Sequence, residues 1–182
     1  MKFRDLTPED IDVRVQSVKE KGLVLLLYKN ARVDMNILDE TVGAENWQRE
    51  HYECKGNLFC RVGIRTCLKD NAEVAEWVYK SDCGTESNTD AQKGEASDSF
   101  KRACFNWGIG RELYTSPFLW VSAEDCNIYD TGRKDKYGKP IYACNDKFEL
   151  SKIKIEDKKI TALAIWNRTT KKRVIVWQKE EQ

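Results

Sequence analysis

The sequence predicts an α+β fold in which an antiparallel sheet carries one long helix. Three stretches of strand character follow one another with the turns KGN and KDNA between them, and a helical stretch comes directly afterwards. Further strand-like stretches lie near the C-terminus. The 182 residues are enough for one domain with a sizeable core. We therefore expect a single domain over residues 1–182 with a β-β-β-α core and extra C-terminal strands.

The first 43 residues predict two short helices with a strand between them. In TPEDIDVRVQSV, Thr7 is a capping residue and Pro8 takes the first helical position. The run GLVLLLY is apolar and of strand length, which is typical of a strand covered on both faces. A second helix, ending at Gly43, is indicated by the spacing of four apolar residues: Val33, Ile37, Leu38 and Val42.

The stretches WQREHYEC, NLFCRVGIRTCL and EVAEWVYKSD predict an antiparallel meander. Alternation in the middle stretch places four apolar residues on one face: Leu58, Cys60, Val62 and Ile64. The other face carries a mixed set: Phe59, Arg61, Gly63 and Arg65. We expect the apolar face to lie against the helix that follows.

That helix lies in EASDSFKRACFNWGIGRELY, from Glu95 to Tyr114. Its predicted buried stripe spans about 60° of the helical projection and contains Ala96, Phe100, Ala103 and Trp107. The opposite side carries Asp98, Lys101, Arg102 and Phe105. Periodicity leaves two interpretations open. Either Asp98 and Arg102 form an i,i+4 pair on a solvated face, or the cations bind phosphates while the aromatic ring stacks on a base or a neighbouring subunit.

Beyond the helix, DTGRKDKYGKP is polar, basic and rich in turn residues, which predicts an exposed and mobile loop. The stretches KIKIED, KITALAIW and RVIVWQ then predict strands, with the turn NRTTKK between the last two.

The net charge of +1 is distributed unevenly along the chain. Residues 147–179 contain ten Lys or Arg against three Asp or Glu, a net charge of +7. Residues 34–50 contain one Arg against five Asp or Glu, a net charge of −4. Opposed patches of this kind would allow a protein to bind a polyanion and to pair with copies of itself. The seven scattered cysteines and the lack of a signal-peptide pattern or apolar span favour a cytoplasmic protein without membrane contact.

The residues contain no pattern that indicates catalysis, a cofactor or a metal. Gly108 and Gly110 do not belong to a GxGxxG motif because Leu113 takes the last position, and no GxxxxGK[ST] motif is present. Without a Cys-x2-Cys pair, four candidate zinc ligands are better explained as core or surface residues: His51, Cys54, Cys60 and Cys67. We expect a protein that is not an enzyme.

The stretch KGEASDSFKRACFNWGIGRELY resembles the helix of the Rad fifty-two/Rad twenty-two strand-annealing proteins, in the compact phage form often called Sak. The preceding motifs agree in order: TPEDIDVRV, then ARVDMNILDETVGAENW, then the meander with LKDN. The resemblance covers about Thr7 to Tyr114. From Thr115 to Gln182 the chain matches only in its general pattern of late strands.

The resemblance implies an ATP-independent protein that forms oligomeric rings or arcs, binds single-stranded DNA in a basic groove and anneals complementary strands during recombination and repair. Its partners would be single-stranded DNA, further copies of itself and a single-strand-binding protein, in the cytoplasm of a phage-infected bacterium. The implied groove residues are Arg14, Lys93, Lys101 and Arg102. The resemblance places Arg14 on the first helix. Lys69 corresponds to a second, outer DNA contact.

Two features depart from the eukaryotic members of that family. Those members carry a basic residue where this chain has Phe105, which suggests that stacking partly replaces charge. They carry a lysine-bearing connector where this chain has GTESNTD. Independently of the resemblance, Arg111 and the turn from Lys171 to Arg173 are further candidate contacts, for which a solvated surface role is an equal alternative.

Two other functions stay open from the sequence. One is a single-strand-protecting protein that does not anneal. The other is a small metal-dependent nuclease with Glu95 and Asp98 as metal ligands, although the adjacent Lys-Arg pair would more simply neutralise these acids.

Overall fold

The computed structural model of the chain describes residues 1–67, 75–85 and 91–180, with the backbone alone for residues 91–93. The fold is α+β, as predicted, and every strand pair among the described residues is antiparallel. The described ranges contain two α-helices, α1 (Ala31–Val42) and α2 (Ala91–Trp107). The strands are β1 (Asp12–Lys19), β2 (Gly22–Tyr28), β3 (Trp47–Cys54), β4 (Asn57–Cys67), β5 (Ala75–Cys83), β6 (Leu119–Ser122), β7 (Ile128–Lys134), β8 (Pro140–Cys144), β9 (Phe148–Glu156), β10 (Lys159–Asn167) and β11 (Lys172–Gln178).

The chain divides into two compact units. The first contains Met1–Asp5 and Asn30–Gly110, and the second contains Leu6–Lys29 and Arg111–Gln182. That residues 1–182 form one domain stays a prediction. None of the described helices is long and apolar enough to cross a membrane.

In the first unit, the predicted meander is confirmed as a sheet in the order β3-β4-β5, with α1 and α2 beside it. Strand β4 places Cys60, Val62 and Ile64 on the face that α2 covers, and all three are fully buried. Alternation along the strand is the reason, because successive side chains point to opposite faces of a sheet. Helix α1 ends at Gly43, as predicted, with Gly43 N–H donating to the carbonyl oxygen of Asp39.

The buried side of α2 is broader than the predicted stripe. Phe100 and Ala103 are fully buried, and so are Ser99 and Cys104. The two outer members of the prediction, Ala96 and Trp107, are only half-buried. Helix α2 contacts both the sheet and α1, so its inward side faces two neighbours instead of one.

In the second unit, the predicted helix in TPEDIDVRVQSV is wrong. Only Pro8–Asp10 form a single 3-10 turn, where Thr7 N–H donates to Asp10 Oδ2 at 2.9 Å, and strand β1 begins at Asp12. Half-buried valines alternate with exposed polar residues along the start of β1. Val13 and Val15 are β-branched and pair with the apolar strand β2. The capping signal was therefore real, but strand pairing ended the helix after one turn.

The strands of the second unit form two sheets and a hairpin. The sheets have the orders β1-β2-β6 and β9-β10-β11, and β7 pairs with β8. The three predicted C-terminal strands and their turn are confirmed. The stretch DTGRKDKYGKP, predicted as a loop, is instead most of the β7–β8 hairpin, although it is exposed as expected. Thr131 Oγ1 donates to the carbonyl oxygen of Ile141 at 2.7 Å, which ties the two strands together.

Candidate nucleic-acid interface

The outward side of α2 brings together three of the predicted site residues: Lys101, Arg102 and Phe105. All three side chains are half-buried, so this side is less open to solvent than periodicity predicts. The carboxylates beside the two cations come from α2 itself and from β5.

Each of the two cations lies beside a carboxylate. Lys101 Nζ is 3.9 Å from Asp98 Oδ1 on the same helix. Arg102 Nε is 3.3 Å from Asp82 Oδ1 on β5. Arg102 thus contacts an acid of the sheet, a partner that the helical spacing did not indicate, and a pair between Asp98 and Arg102 stays a prediction. Asp82 is the functional neighbour that sequence reasoning missed.

Both carboxylates also accept hydrogen bonds from backbone N–H groups. Asp98 Oδ2 accepts hydrogen bonds from the N–H and hydroxyl of Thr85, at 3.1 and 3.2 Å. Asp82 Oδ1 accepts from the N–H of Cys83 at 2.9 Å. Both ion pairs are partly exposed, and such pairs contribute about 0.2–1 kcal/mol each. A phosphate could therefore replace the carboxylate as the partner of either cation. The acids thus lower the local positive charge without removing the cations as ligands.

A third cation, Lys80 of β5, supports the end of α2. Lys80 Nζ donates to the carbonyl oxygen of Asn106 at 2.9 Å and lies 4.7 Å from the ring centroid of Trp107. A cation at this position stabilises the last turn of a helix through the unpaired carbonyls and the helix dipole. Lys80 lies opposite Val62 in the β4–β5 register, a placement that the sequence did not predict.

The ring of Phe100 fixes the buried side of α2 against β3. Trp47 stacks on it with a centroid distance of 6.1 Å, and the guanidinium of Arg49 lies 4.8 Å from its centroid. The indole N–H of Trp107 donates to the carbonyl oxygen of Val62 at 3.0 Å. These contacts hold the helix in one orientation and so determine which side presents Lys101 and Arg102.

The other predicted site residues lie elsewhere or outside the description. Lys93 is in the first turn of α2, where the backbone alone is described, and Lys69 lies outside the described residues. Arg14 is exposed on β1, not on a helix, and its guanidinium is 4.3 Å from the ring centroid of Tyr28. Arg111 is exposed at the start of the 3-10 turn Arg111–Thr115. Both arginines belong to the second unit.

The solvent face of the meander carries an aromatic surface that the sequence did not single out. Tyr52 stacks on Phe59 at 5.6 Å, and Trp77 stacks on Tyr79 at 6.4 Å. Arg61 lies between them, 2.6 Å from Glu50 and 5.1 Å from the ring centroid of Tyr79. The hydrogen bonds that Arg61 donates to the Glu50 carboxylate raise the pKa of Arg61 above its ordinary value. Arg61 is thus already engaged by a carboxylate.

The residues proposed for metal chemistry have other partners. Glu95 Oε1 accepts from the N–H of Leu58 at 3.0 Å, and Asp98 holds Thr85. Within the described ranges no group of three or more His, Cys, Asp or Glu could hold a metal ion. Burial raises the pKa of Cys60 to about 11, so at neutral pH this residue is a protonated thiol in the core.

A family model described as "Rad52/22 family double-strand break repair protein" matches residues 3–129. The matched segment includes the whole of the first unit except its first two residues, together with β1, β2 and β6. Comparison with curated proteins finds no match.

Proposed function

Because the chain belongs to the Rad52/22 family of double-strand break repair proteins, we propose that it binds single-stranded DNA and anneals complementary strands, without nucleotide hydrolysis or a cofactor. The observation that carries the proposal is the pair Lys101 and Arg102 on the outward side of α2, within the matched residues.

In this proposal the two cations bind consecutive phosphates of one strand. The guanidinium of Arg102 can donate two parallel hydrogen bonds to a phosphate, and Lys101 acts as a point charge beside it. Asp82 and Asp98 give up partly exposed ion pairs when the strand binds. Phe105, one turn further along α2, offers a ring on which a base can stack.

Contacts of this kind favour annealing. Phosphate contacts hold a strand without reading its sequence, so the base edges stay available for a complement. Neutralised phosphates repel a second strand less, and pairing is downhill once complementary strands meet. The protein then acts as a recombination mediator that needs no external energy source.

We further propose that copies of the chain assemble into a ring or arc, so that neighbouring pairs of Lys101 and Arg102 form one continuous basic track. A track of this kind would hold a strand over many nucleotides, which one pair of cations cannot do. We also propose that the protein is phage-encoded and acts in the bacterial cytoplasm, where a single-strand-binding protein would supply coated strands.

The test of the site is the double variant Lys101→Ala, Arg102→Ala. Loss of two phosphate contacts should weaken binding to a labelled oligonucleotide and reduce the slope of log K against log salt concentration by about 1.4. The matched control is Lys19→Ala, Arg32→Ala, which removes the same two residue types from exposed positions. Unchanged binding and slope in the α2 variant would contradict the assignment.

Two labelled complementary strands separate annealing from simple protection. Energy transfer between the labels should appear faster with the protein than without it. Slower pairing at saturating protein would instead favour a single-strand-protecting protein that covers the bases.

A further inference from the structure

The turn of the β7–β8 hairpin is a compact basic element that the proposed function does not use. We call residues 133–139, with the sequence RKDKYGK, the basic tip. It contains four cations and one acid, and each of its residues is exposed. It lies beyond residues 3–129, the segment that the family match covers. The cations of the basic tip are Arg133, Lys134, Lys136 and Lys139.

The single acid of the basic tip holds the turn in shape. Asp135 Oδ1 accepts hydrogen bonds from the N–H groups of Tyr137 and Lys139, at 2.8 and 2.9 Å. Asp135 N–H donates to the carbonyl oxygen of Lys139, and Gly138 N–H donates to that of Asp135. Gly138 has a φ of 79°, which this tight turn requires. The backbone that carries the four cations is therefore a turn defined by its own hydrogen bonds.

The base of the hairpin is anchored in the second unit. The buried carboxylate of Asp146 accepts from the backbone and side-chain amides of Asn127, at 2.8 and 2.9 Å. It also accepts from the side chain of Asn167 at 2.7 Å. The hairpin is thus hydrogen-bonded to the second unit at its base, and its other end, the basic tip, is exposed to solvent.

The basic tip also exposes a large aromatic ring. Tyr137 is 74% exposed, and Lys136 Nζ lies 4.9 Å from its ring centroid. An aromatic side chain among cations is the combination that binds single strands, since the cations neutralise phosphates while the ring stacks on a base. A duplex would offer its phosphates to the cations but no unpaired base to the ring.

We propose that the basic tip is an additional binding site for single-stranded DNA, in which its cations contact phosphates and Tyr137 stacks on a base. The inference rests on the proposed function only in taking DNA as the ligand. It assigns a role to a segment beyond the matched residues, and this role does not depend on Lys101 or Arg102.

The experiment measures binding of the full chain to labelled oligothymidine at several salt concentrations. Arg133→Ala, Lys136→Ala should reduce the salt slope by about 1.4, the value for two phosphates of a single strand. Tyr137→Ala should weaken binding roughly fivefold or more, and Tyr137→Phe, which keeps the ring, should bind like the unmodified chain. These side chains are exposed, so the substitutions leave the core intact.

The control Lys159→Ala, Lys179→Ala removes two exposed cations, one at the start of β10 and one directly after β11. An equal fall in slope for this control would show an effect of overall charge and overturn the inference. Unchanged binding of the basic-tip variants, with loss in Lys101→Ala, Arg102→Ala, would overturn the inference and leave the proposed function standing. Weaker DNA binding by the basic-tip variants, together with unchanged binding by Lys101→Ala, Arg102→Ala, would support the inference and contradict the proposed α2 site. If the unmodified chain does not bind DNA, both fail.

Discussion

At the scale of single residues, the carboxylates beside Lys101 and Arg102 set the strength of the proposed DNA contact. Asp82 is 25% exposed and Arg102 is 43% exposed, so water screens their attraction. A strand that binds Arg102 must compete with this acid. The surface is consequently suited to contacts that form and break, which strands need while they search for a complement.

We expect Asp82→Asn to bind single-stranded DNA more tightly than the unmodified chain. The amide removes the competing negative charge at similar size, so the phosphate contact of Arg102 no longer displaces an ion pair and the affinity should rise at each salt concentration. The measurement is a salt titration with labelled oligothymidine. Glu124→Gln, which removes one exposed acid from the second unit, serves as the control. Weaker binding by Asp82→Asn would mean that Asp82 positions Arg102 for DNA instead of opposing it.

Glu112 is a second residue whose role the sequence did not indicate. It is fully buried in the second unit, and its Oε1 accepts from the N–H of Leu6 at 2.8 Å. We expect Glu112→Ala to lower the free energy of unfolding by about 1–3 kcal/mol, since the buried N–H of Leu6 would lose its acceptor. Chemical denaturation measures this change. Glu112→Gln keeps an oxygen acceptor and should cost less.

At the scale of elements, the contact of Gly84 with α2 decides how the basic side of the helix is presented. Gly84 directly follows β5, and its N–H donates to the carbonyl oxygen of Leu58 on β4. A Cβ at Gly84 would lie 2.2 Å from the carbonyl oxygen of Glu95 and 2.9 Å from the N–H nitrogen of Ser99. The helix backbone can approach the strand this closely because residue 84 has no side chain.

We expect Gly84→Ala to destabilise the chain more than Gly63→Ala. A Cβ at Gly84 meets helix backbone, which cannot move alone, whereas a Cβ at Gly63 would meet the ring of Tyr79 at 2.5 Å. A side chain on the solvent face can rotate away, so overpacking there should cost less. Thermal unfolding of the two variants compares them directly. Equal melting temperatures would contradict the role given to Gly84.

At the scale of the whole molecule, the acidic segment predicted from the sequence is largely used within the first unit. Asp34 is fully buried, Glu40 pairs with Arg4 and Glu50 pairs with Arg61. Asp39 accepts from the indole N–H of Trp47 at 2.6 Å. A net charge counted along residues 34–50 therefore overstates the acidic surface that could attract the basic segment of another copy.

If the chain assembles as proposed, we expect the oligomer to persist at salt concentrations that release DNA. Its acidic segment offers few carboxylates for contacts between copies, whereas the proposed DNA contacts are made to phosphates and weaken with salt. Sedimentation velocity and particle imaging, each carried out at low and at high salt, measure whether the oligomer is still assembled. Dissociation of the particles in the same range as DNA release would indicate an assembly held by opposed charge patches.

Much of the fold could be predicted because it depends on local periodicity. Alternation in β4 identified the face that holds Cys60, Val62 and Ile64, and helical spacing placed Phe100 and Ala103 in the core. The same spacing placed Lys101, Arg102 and Phe105 together on the opposite side of α2. These predictions needed nothing beyond the order of residues within one element.

The tertiary structure decided what depends on residues distant in sequence. Strand β1 formed where a helix was predicted because its valines pair with β2, and β7 and β8 formed where a loop was predicted because the two strands pair with each other. The meeting of Arg102 with Asp82, twenty positions away, likewise follows from the packing of α2 on β5. Hydrogen-bond partners and ion pairs are distances in space, which the spacing of residues along one element does not contain.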